Sequence, residues 1–201
     1  MGPMNISIIL AHPHPGSFNH AIAQTAFQQL ESQGHQPILH DLVAERFDPL
    51  LPFEEIPQDA PLPVSIAAHC AEIASADGIL IVHPNWWGMP PAILTGWVDR
   101  VIRPGTAYEF VGEDGGEGVP HGLLKARAAL VFNTSNTPAE REQAAFGDPL
   151  ERIWKDCIFG LCGVTGFHRR MFGIIVTSND AERAQWLKEV QRTVSHHFPA
   201  D

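Results

Sequence analysis

Residues 5–30 read NISIILAHPHPGSFNHAIAQTAFQQL. An apolar run, Ile6–Ala11, leads into HPHPGSFN at 12–19, and Ile22, Ala26 and Leu30 follow at helical spacing. The apolar run does not alternate, which suits a strand covered on both faces in a parallel sheet. Gly16 frees the backbone, and Ser17 is a favoured helix N-cap. The stretch therefore reads strand, loop, helix, the opening unit of a doubly wound α/β fold.

The same rhythm continues. Gly78–His83, Ala128–Asn133 and Met171–Thr177 are β-branched runs, and Pro37–Asp41 is a weaker one. Helical stripes lie between and after them. They are Ile66, Ala67, Cys70, Ile73 and Ala74; Ile93 to Ile102; Leu150 to Leu161; and Trp186 to Val194. Gly34 is placed at the C′ position of the first helix, and Pro91 suits the first turn of the third. Alternation of this kind predicts one domain over residues 4–198 with right-handed crossovers. Residues 48–63 carry five prolines, and 103–122 are rich in glycine. Both read as surface excursions or binding loops.

Composition narrows the function classes. A formal net charge of −10 repels a nucleic-acid backbone, so no nucleic-acid partner is expected. No apolar run is long enough to span a membrane, and MGPMNIS has no features of a secretory signal. Three cysteines without a C-x-x-C pair fit a reducing cytoplasm, with Cys157 and Cys162 as buried thiols.

Ligands of open parallel sheets bind beyond the carboxyl ends of the strands. Three loops fall there. In the first, the N–H groups of Phe18, Asn19 and His20 form an anion site at a helix start, and Ser17, Asn19 and His12 add side-chain donors. His14 and His20 read as exposed, and no acidic or Cys partner supports a metal. In the second, Pro84–Pro91 (PNWWGMPP), one of two adjacent Trp packs downward and the other lines a cleft for an aromatic ligand. In the third, Asn133–Pro138 (NTSNTP), small polar side chains suit the edge of a ring or a simple turn. No G-x-G-x-x-G, G-x-S-x-G or Walker lysine motif is present.

AHPHPGSFNHAIA at 11–23, HPNWWGMPPAILTGWVDRV at 83–101 and TAYEF at 106–110 resemble the NAD(P)H:quinone oxidoreductases of DT-diaphorase type and the potassium-efflux ancillary reductases. The resemblance runs from Ile6 to Phe172. It implies a flavodoxin-like five-stranded parallel sheet of order 2-1-3-4-5, with a flavin (FMN or FAD) at its carboxyl edge. NADH or NADPH would donate electrons, and a quinone or other small aromatic acceptor would receive them by a ping-pong route. His12, Ser17, Phe18 and Asn19 match residues around the flavin phosphates. Pro84, Asn85, Trp86, Trp87 and Gly88 match the loop against the ring, and Thr134, Ser135 and Asn136 match its polar edge. Tyr108 and Phe110 match aromatics that roof the substrate pocket.

A homodimer is also implied, with Phe146, Trp154 and Phe159 as candidate interface aromatics. The alternative is a regulatory flavoprotein docked on a membrane transporter. The chain departs from the family where Tyr and His follow the third loop: PAEREQAAFGD has neither. Asn136, Ser135 and the loop backbone are then the expected stabilisers of charge on the ring, with Arg141 as a surface residue.

Overall fold

The structure is a computed structural model and describes residues 2–111, 118 and 120–200; of the glycine-rich stretch, Gly112, Gly115 and Gly116 lie outside the described residues. Strand β1 (Asn5–Leu10) leads to helix α1 (Phe18–Ser32), then β2 (Gln36–Asp41), α2 (Val64–Ser75), β3 (Gly78–Pro84) and α3 (Ala92–Val101). A short hairpin, β4 (Tyr108–Glu109) and β5 (His121–Gly122), precedes β6 (Ala128–Thr134). Helix α4 (Ala139–Phe146) and α5 (Pro149–Arg152) follow, and α5 runs directly into a π-helical stretch, Ile153–Gly160. Strand β7 (Gly166–Phe172) and helix α6 (Asp180–His197) complete the order. The main sheet is parallel throughout, in the order β2-β1-β3-β6-β7. It is the flavodoxin-like arrangement.

Every residue of β3 and β6 is buried, because helices cover both faces. On one face Ile6, Ile8, Leu80, Leu130 and Phe132 meet Ile22, Ala26 and Leu30 of α1 and Val190 and Val194 of α6. On the other, Ile9, Ile79, Ile81 and Val131 meet Ile66, Cys70 and Ile73 of α2, Leu94 and Trp97 of α3, and Trp154 and Phe159. Residues alternate between these faces along each strand, as the pleat requires. The ends of α1 match the sequence reading: Ser17 caps its start, and Gly34 follows its end at φ +83°.

The last strand is displaced from its expected place. Met171–Thr177 reads as β-branched, but the strand is Gly166–Phe172. It is an edge strand carrying His168, Arg169 and Arg170, and the two arginines are met by neighbours: Arg169 by Asp148, and Arg170 by Glu189. The apolar run after it instead wraps the third loop. Ile175 N–H donates to the Ser135 carbonyl and Val176 N–H to Asn136 Oδ1. A Cβ on Gly173 would lie 2.7 Å from the Ser135 carbonyl oxygen, so only glycine allows the chain to pass that closely.

Other expectations are corrected. Trp154 and Phe159 are buried within the chain and stack at 5.8 Å, and only Phe146 of the three aromatics is exposed. The stripe Leu150–Leu161 is not one α-helix. Its π-helical part brings Trp154 and Phe159, five positions apart, together under the sheet. Cys157 is exposed, while Cys162 is buried and its thiol is pushed up to about 11 by burial. Residues 48–63 run over the surface, as their prolines suggest. Arg100 Nε donates to Glu55 Oε2 at 3.0 Å and Arg103 Nη2 to the Pro57 carbonyl, so the segment is pinned against α3.

Candidate active site

A cleft of about 660 Å³ opens at the carboxyl ends of β1, β3 and β6, and all three predicted loops line it. His12, Ser17, Phe18, Asn19, Pro84, Asn85, Trp86, Trp87, Gly88, Thr134, Ser135 and Asn136 all contribute to its wall. The volume lies inside the roughly 300–1,000 Å³ range of small-molecule and cofactor sites.

At one end the α1 N-terminus faces the cleft. Ser17 Oγ and the Ser17 carbonyl both accept from His20 N–H, so that donor is taken. The N–H groups of Phe18 and Asn19 make no hydrogen bond among the described residues and remain available to an anion. His20 is not an exposed surface residue. Its Nδ1 lies 2.8 Å from Ser17 Oγ and its Nε2 2.9 Å from Asp41 Oδ2, a chain that fixes the cap. His12 Nδ1 accepts from His14 N–H at 3.1 Å, which leaves Nε2 as its protonated nitrogen. Burial, and then neighbouring His20, hold the His12 pKa below its ordinary value. Neutral His12 therefore presents an N–H donor.

Asn19 is 2% exposed. Its Nδ2 donates to Thr134 Oγ1 at 2.9 Å, tying the first loop to the third, and its Oδ1 has no partner. The bond to Thr134 fixes the amide, so Asn19 serves the site by tying the two loops together and by its backbone N–H.

The second loop folds as a tight turn. Trp86 and Met89 exchange both backbone hydrogen bonds, with Trp87 at φ +59° and Gly88 at φ +72° between them. Asn85 Oδ1 accepts from Gly88 N–H at 3.0 Å, and a Cβ on Gly88 would meet Pro149 Cγ at 2.7 Å. Neither Trp packs downward: Trp86 is 44% exposed and Trp87 is 96% exposed. The turn that lets Gly88 press on Pro149 also swings both rings to the rim. His12 lies against Trp86, with ring centres 6.1 Å apart.

In the third loop Ser135 Oγ accepts from Thr137 N–H, and Asn136 Oδ1 from Val176 N–H at 3.0 Å. Asn136 Nδ2 is left as a donor. Tyr108 is not part of this wall. It sits half-buried in the β4–β5 hairpin against the core, with Phe110 edge-on to it at 5.8 Å. Arg141 is exposed and away from the cleft.

Beneath the second and third loops lies a buried network. His83 Nδ1 donates to the Pro84 carbonyl at 2.8 Å. Its Nε2 accepts from Trp154 Nε1 at 2.9 Å and from Asn133 Nδ2 at 2.7 Å. Complete burial holds this imidazole neutral, down to about 3. Asn133 Oδ1 accepts from Arg169 Nε at 2.6 Å, and Arg169 Nη1 reaches Asp148 Oδ2 at 2.7 Å. The chain of contacts joins β3, β6 and β7 to the link between α4 and α5, and so places Phe146 and Pro149 on the cleft wall.

Thr137, inside the third predicted loop, also lines the cleft, whereas Glu142, Phe146, Pro149, Ile175 and Arg183 are wall residues that sequence reading missed. Glu142 and Phe146 are one helical turn apart in a stretch that reads as polar surface, so only the fold brings them inward. Arg183 adds a cation beside Phe18, 5.9 Å above its ring. Its Nε is held by Ser178 Oγ at 2.9 Å.

Comparison with known proteins agrees with this architecture. The model of a family described as flavodoxin-like fold matches residues 4–194. A Haemophilus influenzae protein called an uncharacterized NAD(P)H oxidoreductase is 33% identical over 184 residues, covering 90% of this chain and 89% of its own. Mouse ribosyldihydronicotinamide dehydrogenase [quinone] is 26% identical over 219 residues, covering 97% and 93%. The structure of an NAD(P)H:quinone oxidoreductase from Methanothermobacter marburgensis superposes with a TM-score of 0.81 at 26% identity, covering 96% of each chain. The chain belongs to the flavodoxin-like fold family related to the NAD(P)H:quinone oxidoreductases.

Proposed function

We propose that this cleft binds FMN or FAD, and that the protein passes two electrons from NADH or NADPH to a quinone or similar small aromatic acceptor. The observation that carries the reading is the division of the cleft: free N–H groups of a helix start at one end, exposed indoles and small polar groups at the other. The family relatives supply the reaction class. A bound flavin supplies the hydride-accepting and hydride-donating ring; the chain supplies orientation and electrostatics.

The residues divide the work. Ser17, through its cap, and the N–H groups of Phe18 and Asn19 hold phosphate, with His12 donating from the side. Pro84–Gly88 supply the surface on which the ring lies, and Trp86 and Trp87 bound the acceptor space. Asn136 Nδ2 and the backbone of the third loop face the polar edge, where negative charge develops. Tyr108 roofs the pocket of a second copy rather than its own, which accounts for its distance from the cleft wall in one chain. Sedimentation equilibrium at micromolar concentration is then expected to give about twice the 22.1 kDa chain mass; a single-chain mass would remove Tyr108 from the site.

The decisive experiment is the absorbance spectrum of purified protein, followed by anaerobic titration with NADH and NADPH. Stoichiometric flavin, bleached by either nucleotide and restored by a quinone, is the expected result. A protein that binds no flavin would end this reading. Flavin that neither nucleotide bleaches would favour a regulatory binding role instead.

A further inference from the structure

Glu142 is 3% exposed and lines the cleft. Its backbone is satisfied, by Pro138 and by Asp148. Its side chain has no hydrogen-bond or ion-pair partner among the described residues. Within α4 only Glu142 and Phe146 line the cleft, and four-residue spacing puts both on the face turned towards it. The residues between them, Gln143, Ala144 and Ala145, are exposed. The side chain is packed against the protein while its carboxylate opens to the cleft, so what occupies the cleft is what meets its charge.

The charged groups that could answer it are few. His12 faces the cleft from the first loop and Arg183 from α6. Arg183 is held by Ser178 and the Ile175 carbonyl. Asp148, beside Glu142 in space, is engaged by Arg169. Glu140 and Arg141 on the same helix are exposed. Among these side chains none is bonded to the carboxylate, so its partner is expected from the cleft.

We propose that Glu142 is the acid that stores and delivers the reaction proton, a role that rests on the flavin reading above. The net conversion is NAD(P)H plus a proton plus quinone, giving NAD(P)⁺ and hydroquinone. The dihydronicotinamide C–H breaks and its electron pair enters the cleft as hydride. A second negative charge in a filled, water-poor cleft is unfavourable beside a carboxylate that faces it without a cation. Glu142 therefore takes a proton from solution, forming a carboxyl O–H, as the hydride arrives. When the acceptor receives the hydride, that O–H breaks and one acceptor oxygen gains the proton, which restores the carboxylate.

Reduced-minus-oxidised infrared difference spectra of the flavin-loaded protein test this. A protonated-carboxyl band is expected on reduction in the wild type, absent in Glu142→Gln and retained at a shifted position in Glu142→Asp. Proton uptake per two electrons, read with an indicator dye in weakly buffered anaerobic solution, should fall by up to one in Glu142→Gln. Glu140→Gln, altered on the exposed side of the same helix, should behave as wild type. Carbon-13 glutamate labelling must shift the band in the unmutated protein, a readout that needs no variant to fold. Flavin that is bound and reduced with no carboxyl band, or with wild-type uptake in Glu142→Gln, overturns the role of Glu142 alone. A chain that takes up no flavin overturns both readings.

Discussion

Trp87 holds a left-handed backbone at φ +59°, which for a bulky side chain costs about 1–3 kcal/mol. Almost none of its ring is buried, so packing does not offset that cost. Trp87→Gly is therefore expected to raise the melting temperature by a few degrees, about 1 kcal/mol, because glycine suits both central positions of this turn. The same change removes one wall of the acceptor space and should raise the KM for quinone. A lower melting temperature would show that the indole is held by contacts beyond those described. Asn136 poses the opposite case. Its Oδ1 is committed to Val176, so Asn136→Ala loses a tether worth about 0.5–1.5 kcal/mol as well as the Nδ2 donor. Stopped-flow flavin reduction by NADPH should slow roughly tenfold, less than a sole oxyanion donor would cause, because backbone donors remain. Arg141→Ala should leave that rate unchanged.

Elements place these residues, and Arg169 couples the most of them. It lies on edge strand β7 and joins Asn133 of β6 to Asp148 between α4 and α5. Arg169→Met should cost about 1.5–3 kcal/mol in urea unfolding, since it removes a charge-assisted bond to the half-buried Asp148 carboxylate and frees the amide that orients His83. Asp148→Asn in the same background should recover part of the loss. The limits of sequence reading show at this scale. Strands β1, β3 and β6 are legible because helices on both faces demand unbroken apolar runs, and the loops after them inherit their places from that. Strand β7 is not legible, because an edge strand can carry Arg169 and Arg170 when carboxylates from other elements neutralise them, and His168 when burial disfavours its charge. The β-branched run beyond it mimics a strand while serving to wrap Ser135 and Asn136. Glu142 was invisible for a related reason: α4 is polar on most sides, and periodicity does not tell which side faces a cleft. The Trp pair was legible as unusual, but the positive φ that turns both rings outward was not.

At the scale of the whole molecule, buried imidazoles set the response to acid. Burial holds His69 down to about 4 and His83 to about 3, while in the unfolded chain both titrate near 6.5. Their stabilising contribution is complete above pH 6.5 and is lost as pH falls towards the folded values, on the order of 2–3 kcal/mol each by pH 4.5. His40 acts in the other sense. Burial opposes its charge, but bonds to Glu72 and Glu45 outweigh burial and raise its pKa, so its contribution is present below 6.5 and fades as pH rises through the folded value. Urea unfolding at pH 7.5, 6 and 4.5 should show a steep loss on the acid side, shallower in His69→Gln; an unchanged slope would mean that other groups dominate. The five tryptophans sample the same interior and surface. Trp97 and Trp154 are fully buried, Trp186 is half-buried, and Trp86 and Trp87 stand at the cleft rim. Intrinsic emission is thus already sorted by location. Iodide, which cannot enter the core, will quench the red-shifted light of the rim pair first, and a molecule seated in the cleft will shield that light. The native chain reports its own occupancy without a dye or a label.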